Sequence, residues 1–380
     1  AMASGIVMEP CNVNHWTILY TITLPSAIWL ALLLSVYQLF NDPIQRERIE
    51  TMDHRKLTIC ALELLMTPLN HILVMFLMLR KVCDHIALYD RLEALDQQLI
   101  MEFGVNLNYH KLVHRNLIKA VILPVVHYSA VTWTTVQEVP DRVAQACVFV
   151  FLYLLSISGP NWTSYLHAGF AEMLRIRFRL LKKFLNPDFL LANFPEPRIC
   201  EACLQCLVSM VRSFHEIIDA INDVYRAALA AVLLHDFTLV TDILNMLFSH
   251  SIGKSVDGIF FTYGVMWLIV PLHKFISTLI YCRRAIVEGK RCLRLTEQID
   301  IWFPNFKSAK RIVDATMHWR LENKIEFTCG FNMIYNRTII ATITAVVFNY
   351  LLILIQFRMT QLMDQQIEEQ KNALHDWDGD

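Results

Sequence analysis

The chain has 380 residues, of which 55% are hydrophobic and only 18% charged, with a formal net charge of −1. Soluble domains carry roughly 25% charged residues, so a soluble fold of this composition would expose large apolar patches and a membrane protein is expected instead. The neutral balance offers no basic surface for nucleic acid, and the ten scattered cysteines do not form the paired framework of a secreted domain.

Residues 1–15 hold one charge, Glu9, and no basic segment of the kind that starts a secretory signal. A helix needs about 20 apolar residues to cross the hydrocarbon. Seven stretches reach that length: Trp16–Phe40, Leu57–Leu79, Leu117–Val139, Val143–Phe170, Ala227–Phe248, Ile259–Tyr281 and Met333–Phe357. In lipid each backbone amide must find its partner within its own segment, so these are predicted helices. Pro25, Pro68, Pro124, Pro160 and Pro271 fall inside five of them, and the Gly159-Pro160 step is expected to bend the fourth most.

Lys and Arg fix the orientation. The connections 80–119, 175–226 and 283–324 hold 24 of them, against eight on the opposite side, while Lys274 and Arg337 lie within spans. The positive-inside rule then places the three long connections and the N-terminus in the cytosol and the C-terminus outside. Helical apolar spacing in Asp90–Met101, Ala171–Phe184, Ile199–Val224 and Arg283–Gln298 predicts that the spans continue as a cytosolic helical bundle. The fold class is all-α and polytopic. The expected divisions are a cytosolic N-terminus at 1–15, six spans with their connections at 16–281, anchor helices at 282–332, the seventh span at 333–357 and an extracellular tail at 358–380, which is rich in Asp and Glu.

The seventh span is the most informative. Thr342, Asn349 and Gln356 recur every seven residues and put polar groups on one face of an apolar helix. Periodicity leaves two readings, a pore lining or hydrogen bonding between helices, the second being the commoner. The segment ends Asn349-Tyr350, five apolar residues, Gln356-Phe357, and is preceded by Phe327-Thr328-Cys329-Gly330-Phe331. This resembles the signature of insect gustatory receptors: Thr-Tyr, five apolar residues and Gln-Phe at the end of the last of seven spans. Asn349 departs from the usual Thr but keeps a hydrogen-bonding group. The inside N-terminus and the layout of the whole chain resemble that family too.

The resemblance implies a homotetramer, alone or mixed with other receptor subunits, in the plasma membrane. Its central pore would pass monovalent cations, with divalent cations as a further expectation. Gln356 would form a polar ring near the outer mouth, Ile353 and Phe357 an apolar constriction, and Asn349 and Tyr350 the adjoining pore wall. It also implies a pocket for a small tastant in the outer halves of spans two to six. There span two carries Glu63, span three Tyr128, Thr132 and Trp133, and span four Gln145, Phe149 and Tyr153. Span five carries Thr241, Asp242 and Asn245, and span six Tyr263 and Trp267. Aromatic faces with convergent polar groups suit a small molecule. Glu63 and Asp242 stand out, because carboxylates within spans are costly unless used or paired. Asn336-Arg337-Thr338 with the Leu/Ile-rich run after it resembles the fructose-type branch; Leu351 stands where the general sugar branch has Glu. A bitter compound is the second expected ligand.

Other signals carry less. Cys200, Cys203 and Cys206 recur every third residue but lack the second ligand pair of a zinc site. Lys274 is expected to snorkel to the cytosolic interface. The sequons at Asn161 and Asn336 fall near cytosolic ends of spans. No nucleotide loop or hydrolase elbow is present, so neither an enzyme nor a cofactor is expected. Asp141-Arg142-Val143 after span three resembles the Asp-Arg-Tyr of G-protein-coupled receptors, but Arg142 falls outside and span seven has no Asn-Pro-x-x-Tyr. A transporter would show an internal repeat, and none is found. The odorant-receptor side of the same superfamily would share the architecture.

Overall fold

The computed structural model describes residues 15–41, 54–105, 117–138, 143–253, 258–330 and 333–377, with isolated positions 43, 107, 110 and 114. Spans one and two are α1 (His15–Phe40) and α2 (His54–Arg80), and α3 (Val82–Phe103) follows below the membrane. Span three is split into a π turn (Ile118–Ile122) and α4 (Leu123–Glu138). Pro124 explains the split: its ring displaces the carbonyl four residues back and it offers no N–H, so the turn widens. Spans four to six are α5 (Val143–Phe184), α7 (Pro197–Gly253) and α8 (Gly258–Thr296), with the short α6 (Pro187–Asn193) between the first two. These helices run far past membrane length, as the amphipathic spacing predicts, and with α3, α9 (Ile299–Trp302) and α10 (Ala309–Glu322) they build the cytosolic bundle.

The deepest packing lies in that bundle. Phe170, Phe178, Phe214, Tyr225, Leu174 and Phe327 are all within 1% of complete burial. The placement has a simple cause. Apolar burial drives packing only where water is the alternative, and among the spans lipid already solvates apolar side chains. The bundle also buries paired charge. Arg177, 2% exposed on α5, forms a two-pronged pair with Asp96 of α3, one prong being Nε to Oδ1 at 2.6 Å. Its Nη1 also donates to the Met173 carbonyl at 2.9 Å. Glu288 of α8 accepts from Lys182 at 3.2 Å and Arg179 at 3.4 Å. Burial raises the Glu288 carboxyl, but these cations outweigh it and hold the group below its usual range.

His215 of α7 is 2% exposed, 4.7 Å from the Phe178 ring and beneath Gly289. Burial pushes its imidazole from 6.5 down to about 4, partly opposed by its Nδ1 hydrogen bond to the Val211 carbonyl at 2.6 Å. The folded chain therefore holds His215 neutral, while the unfolded chain takes a proton below pH 6.5. This contribution is complete above 6.5 and is lost as pH falls from 6.5 toward about 4. The expected outcome is a melting temperature of the solubilised protein that drops over that window, with a shallower slope in His215→Phe.

The seventh span, expected from Met333, starts at Arg337 in α11 (Arg337–Trp377). Met333–Ile334 (β2) instead pairs antiparallel with Thr328–Cys329 (β1), in register Thr328 to Ile334 and Cys329 to Met333. Gly330 turns the chain at φ +54°, where L side chains are strained, and a Cβ there would sit 3.0 Å from that of Ala230. The hairpin is fastened to α7: Gly330 N–H donates to the Arg226 carbonyl at 3.1 Å, and Asn222 bonds Glu326 and Thr328 backbone at 2.8 and 2.9 Å. Asn336 then caps α11, its Oδ1 accepting from Thr338 and Ile339 N–H at 2.9 and 3.2 Å. The segment expected as a tail after Phe357 continues as helix to Trp377.

Candidate ligand pocket and pore helix

Two polar clusters lie among the spans. In the outer half, Glu63 of α2 is 17% exposed at its side chain. Its Oε1 accepts from the Tyr153 hydroxyl of α5 at 2.6 Å and from Thr67 Oγ1 at 2.9 Å. Thr67 Oγ1 is also 2.9 Å from His235 Nε2 of α7. Thr67 has one proton, and Glu63 receives it, so His235 donates through Nε2. Two helical turns beyond His235, Asp242 interacts electrostatically with Glu63. Two carboxylates, a phenol and an imidazole thus converge from three helices.

The second cluster is deeper. Lys274 of α8 is 3% exposed and does not snorkel as expected: Nζ donates to Asp236 of α7 at 2.8 Å and to Asn161 Oδ1 of α5 at 2.7 Å. Asn161 is committed to this role; its Nδ2 reaches the Tyr128 hydroxyl at 3.5 Å. A buried ammonium in a bundle is tolerated only with such partners.

The Trp267 ring stands edge-on to Tyr153 at 5.4 Å and to His127 at 5.7 Å, and Phe149 stacks on Tyr153 at 6.4 Å. Leu32, Leu154, Ile157, Leu239 and Ile243 pack around them. Helices α2 and α5 approach closely at Gly159, where an added Cβ would stand 2.7 Å from His71 Nε2.

The seventh span is arranged differently. Within the chain only 6% of Thr338–Phe357 is buried, although it is the most apolar of the described spans, with mean hydropathy 2.3. Asn349, Ile353 and Gln356 follow i, i+4, i+7 spacing and share one face. Ile353 is 49% exposed, Tyr350 42% and Phe357 62%, and Asn349 and Gln356 are exposed too. Thr342 turns its hydroxyl onto the Thr338 carbonyl at 3.0 Å.

The family model described as 7tm Chemosensory receptor matches residues 9–361. The chain belongs to that family. A Drosophila melanogaster chain named as gustatory receptor 57a is 37% identical over 99% of this chain and 92% of its own length. Another from the same fly, named as gustatory receptor 47b, is 21% identical over 95% of this chain and 88% of its own. The receptor therefore sits among the insect gustatory receptors, as its last span suggests. The fold is similar to that of the insect olfactory receptor OR5 from Machilis hrabei, with TM-score 0.64 at 9% identity over 92% of both chains. A second structure of that protein, in complex with eugenol, gives TM-score 0.58 at 11% identity. The receptor is thus a seven-helix, multi-pass membrane protein.

Of the pocket residues expected from sequence, the receptor brings Glu63, Tyr153, Phe149 and Trp267 into one cluster, with Asp242 in electrostatic reach and Tyr128 packed at its edge. Thr132 and Thr241 turn their hydroxyls onto their own helices, onto the Tyr128 and Phe237 carbonyls at 2.8 and 2.7 Å. Asn245 is half-buried on α7. Trp133, 67% exposed, and Gln145 stand on the outer surface of the bundle. The side chain of Tyr263 lies outside the described residues.

The sequence marks His235 as a packing or pocket group within its span, but not the partners Thr67, Asp236 and Asn161. One signal was available: Asp236 and Lys274 are opposite charges in consecutive antiparallel spans, each less than ten residues from the cytosolic end. A matched depth of that kind marks a buried pair.

Among the described residues no group of three His, Cys, Asp or Glu is placed to hold a metal. Cys206 of the cysteine stripe receives a hydrogen bond from Gln98 at 3.5 Å, and burial raises the Cys203 thiol to about 12, which makes it a packing group.

Proposed function

We propose that this receptor is a homotetrameric, ligand-gated, non-selective cation channel opened by a small tastant. The observation that carries the reading is the uncovered seventh span, apolar on most of its surface but with Asn349, Ile353 and Gln356 on one face. Four copies around an axis would cover that face and give a pore with an Ile353 constriction below a Gln356 ring. The tastant would enter from outside and replace the bonds that Glu63 now makes with Tyr153 and Thr67, with Trp267 as a stacking wall. A sugar such as fructose fits the mixture of hydroxyl partners and aromatic faces. The Glu63–Asp242 carboxylate pair favours a second reading, a bitter compound with a protonated amine.

The test is whole-cell recording from cells expressing this chain alone while sugars and bitter amines are washed on. An evoked cation current is expected, shifted at least tenfold to higher concentration by Glu63→Gln and by Trp267→Ala at equal surface expression. No current from a surface-expressed receptor, or an N-terminal epitope found outside the cell, would sink the channel reading.

A further inference from the structure

A separate groove lies between α4 and α5, in the half of the bundle nearer the cytosol, below the pocket just described. It encloses about 150 Å³. Val121, Val125 and Trp162 stand at its mouth, each at least 37% exposed. Tyr128, Asn161 and Tyr165, buried or half-buried, form its inner wall. We propose that this groove binds a ring-sized, membrane-soluble molecule bearing one oxygen, a simple phenol being the class that fits, and that it is loaded from the bilayer.

Size sets the first limit. An apolar cavity of roughly 150 Å³ in another protein admits one benzene ring, so a single ring fits here and a disaccharide does not. Access sets the second. The exposed mouth lies at the depth of hydrocarbon by the charge-based orientation, so an occupant must partition into lipid before it binds. Polar chemistry sets the third. Asn161 Nδ2 meets the Tyr128 hydroxyl only at 3.5 Å, the limit of a hydrogen bond, while its Oδ1 is committed to Lys274. A phenol oxygen placed against both would accept from the Asn161 amide and donate its own proton to the Tyr128 hydroxyl oxygen, while its ring met Trp162 and Tyr165. A lipid tail would fill the groove but leave both groups without a better partner. The inference does not depend on the channel reading, since it concerns occupancy alone.

The full-length receptor in nanodiscs is irradiated with a diazirine-bearing alkylphenol and the labelled residues are mapped by mass spectrometry. Saturable labelling at Val125, Trp162 or Tyr165 is expected, displaced by 4-ethylphenol, with ethylbenzene needing roughly fivefold to tenfold more, as a net gain of one hydrogen bond implies once the long Asn161–Tyr128 bond is given up. Val125→Phe, at a position 55% exposed and so outside the packed core, should abolish the saturable label at unchanged melting temperature, and Tyr128→Phe should narrow the difference between the two competitors. Labelling that never saturates, or that survives Val125→Phe, would overturn the site. Equal competition by ethylbenzene and 4-ethylphenol would overturn the phenol and show a groove that holds any apolar chain.

Discussion

Asp236→Ala is expected to remove most folded receptor from the cell surface. The substitution leaves the Lys274 ammonium, 3% exposed, with Asn161 as its remaining partner. Breaking a buried pair in this way costs about 3–5 kcal/mol, against a total stability of about 5–15 kcal/mol for typical domains. Replacing the ion pair by apolar groups of similar size is far less damaging, because no charge is then left in the bundle. Adding Lys274→Met to Asp236→Ala should therefore restore much of the lost yield. Surface biotinylation and thermal melting of the single and double variants give the coupling directly. Additive losses would mean that the two side chains are not a functional pair.

The second large effect is expected at Gly159. Glycine in a helix interior is ordinarily worse than alanine by about 1 kcal/mol, so Gly159→Ala would stabilise α5 if space allowed. Here the new Cβ would meet His71 Nε2 at 2.7 Å and Cδ2 at 2.9 Å, and His71 is itself 6% exposed. Overpacking of this kind costs about 1–3 kcal/mol. Gly159→Ala should thus lower the melting temperature, Gly159→Val more so, and His71→Ala should reverse the sign for Gly159→Ala. A Gly159→Ala variant more stable than the unsubstituted receptor while His71 is present would show that α2 and α5 do not approach at this point.

Much of the architecture could be read from sequence because lipid imposes a severe rule. Any segment crossing it must be long, apolar and helical, so the seven runs and the extended helices α5, α7 and α8 are visible as patterns. The start of α11 was not, because Met333 and Ile334 are as apolar as a span. What ends the strand and starts the helix is the Asn336 cap and the Asn222 clamp, and the latter lies far away in sequence. The polar and aromatic cluster among the spans was half legible. Aromatic and acidic residues in the outer halves pointed to Glu63, Tyr153 and Trp267. Which way each helix faces was not encoded in span position, so Trp133 and Gln145, expected in the pocket, stand on the outer surface. Lys274 misled for a related reason. Seen alone, a lysine near a span end can snorkel, and only the partner Asp236 on the neighbouring helix holds it inside.

In the proposed channel the Asn349–Ile353–Gln356 face of the seventh helix lines the cation pore. The most direct measurement is the resting current of cells expressing Ile353→Ala, with and without Gln356→Cys or Leu351→Cys, before and after an extracellular cationic thiol reagent. A resting cation conductance several-fold above the unsubstituted receptor is expected, suppressed by the reagent when Gln356→Cys is present and unaffected with Leu351→Cys, which lies on the opposite face. A resting current no larger than that of the unsubstituted receptor, or equal sensitivity at positions 351 and 356, would contradict it.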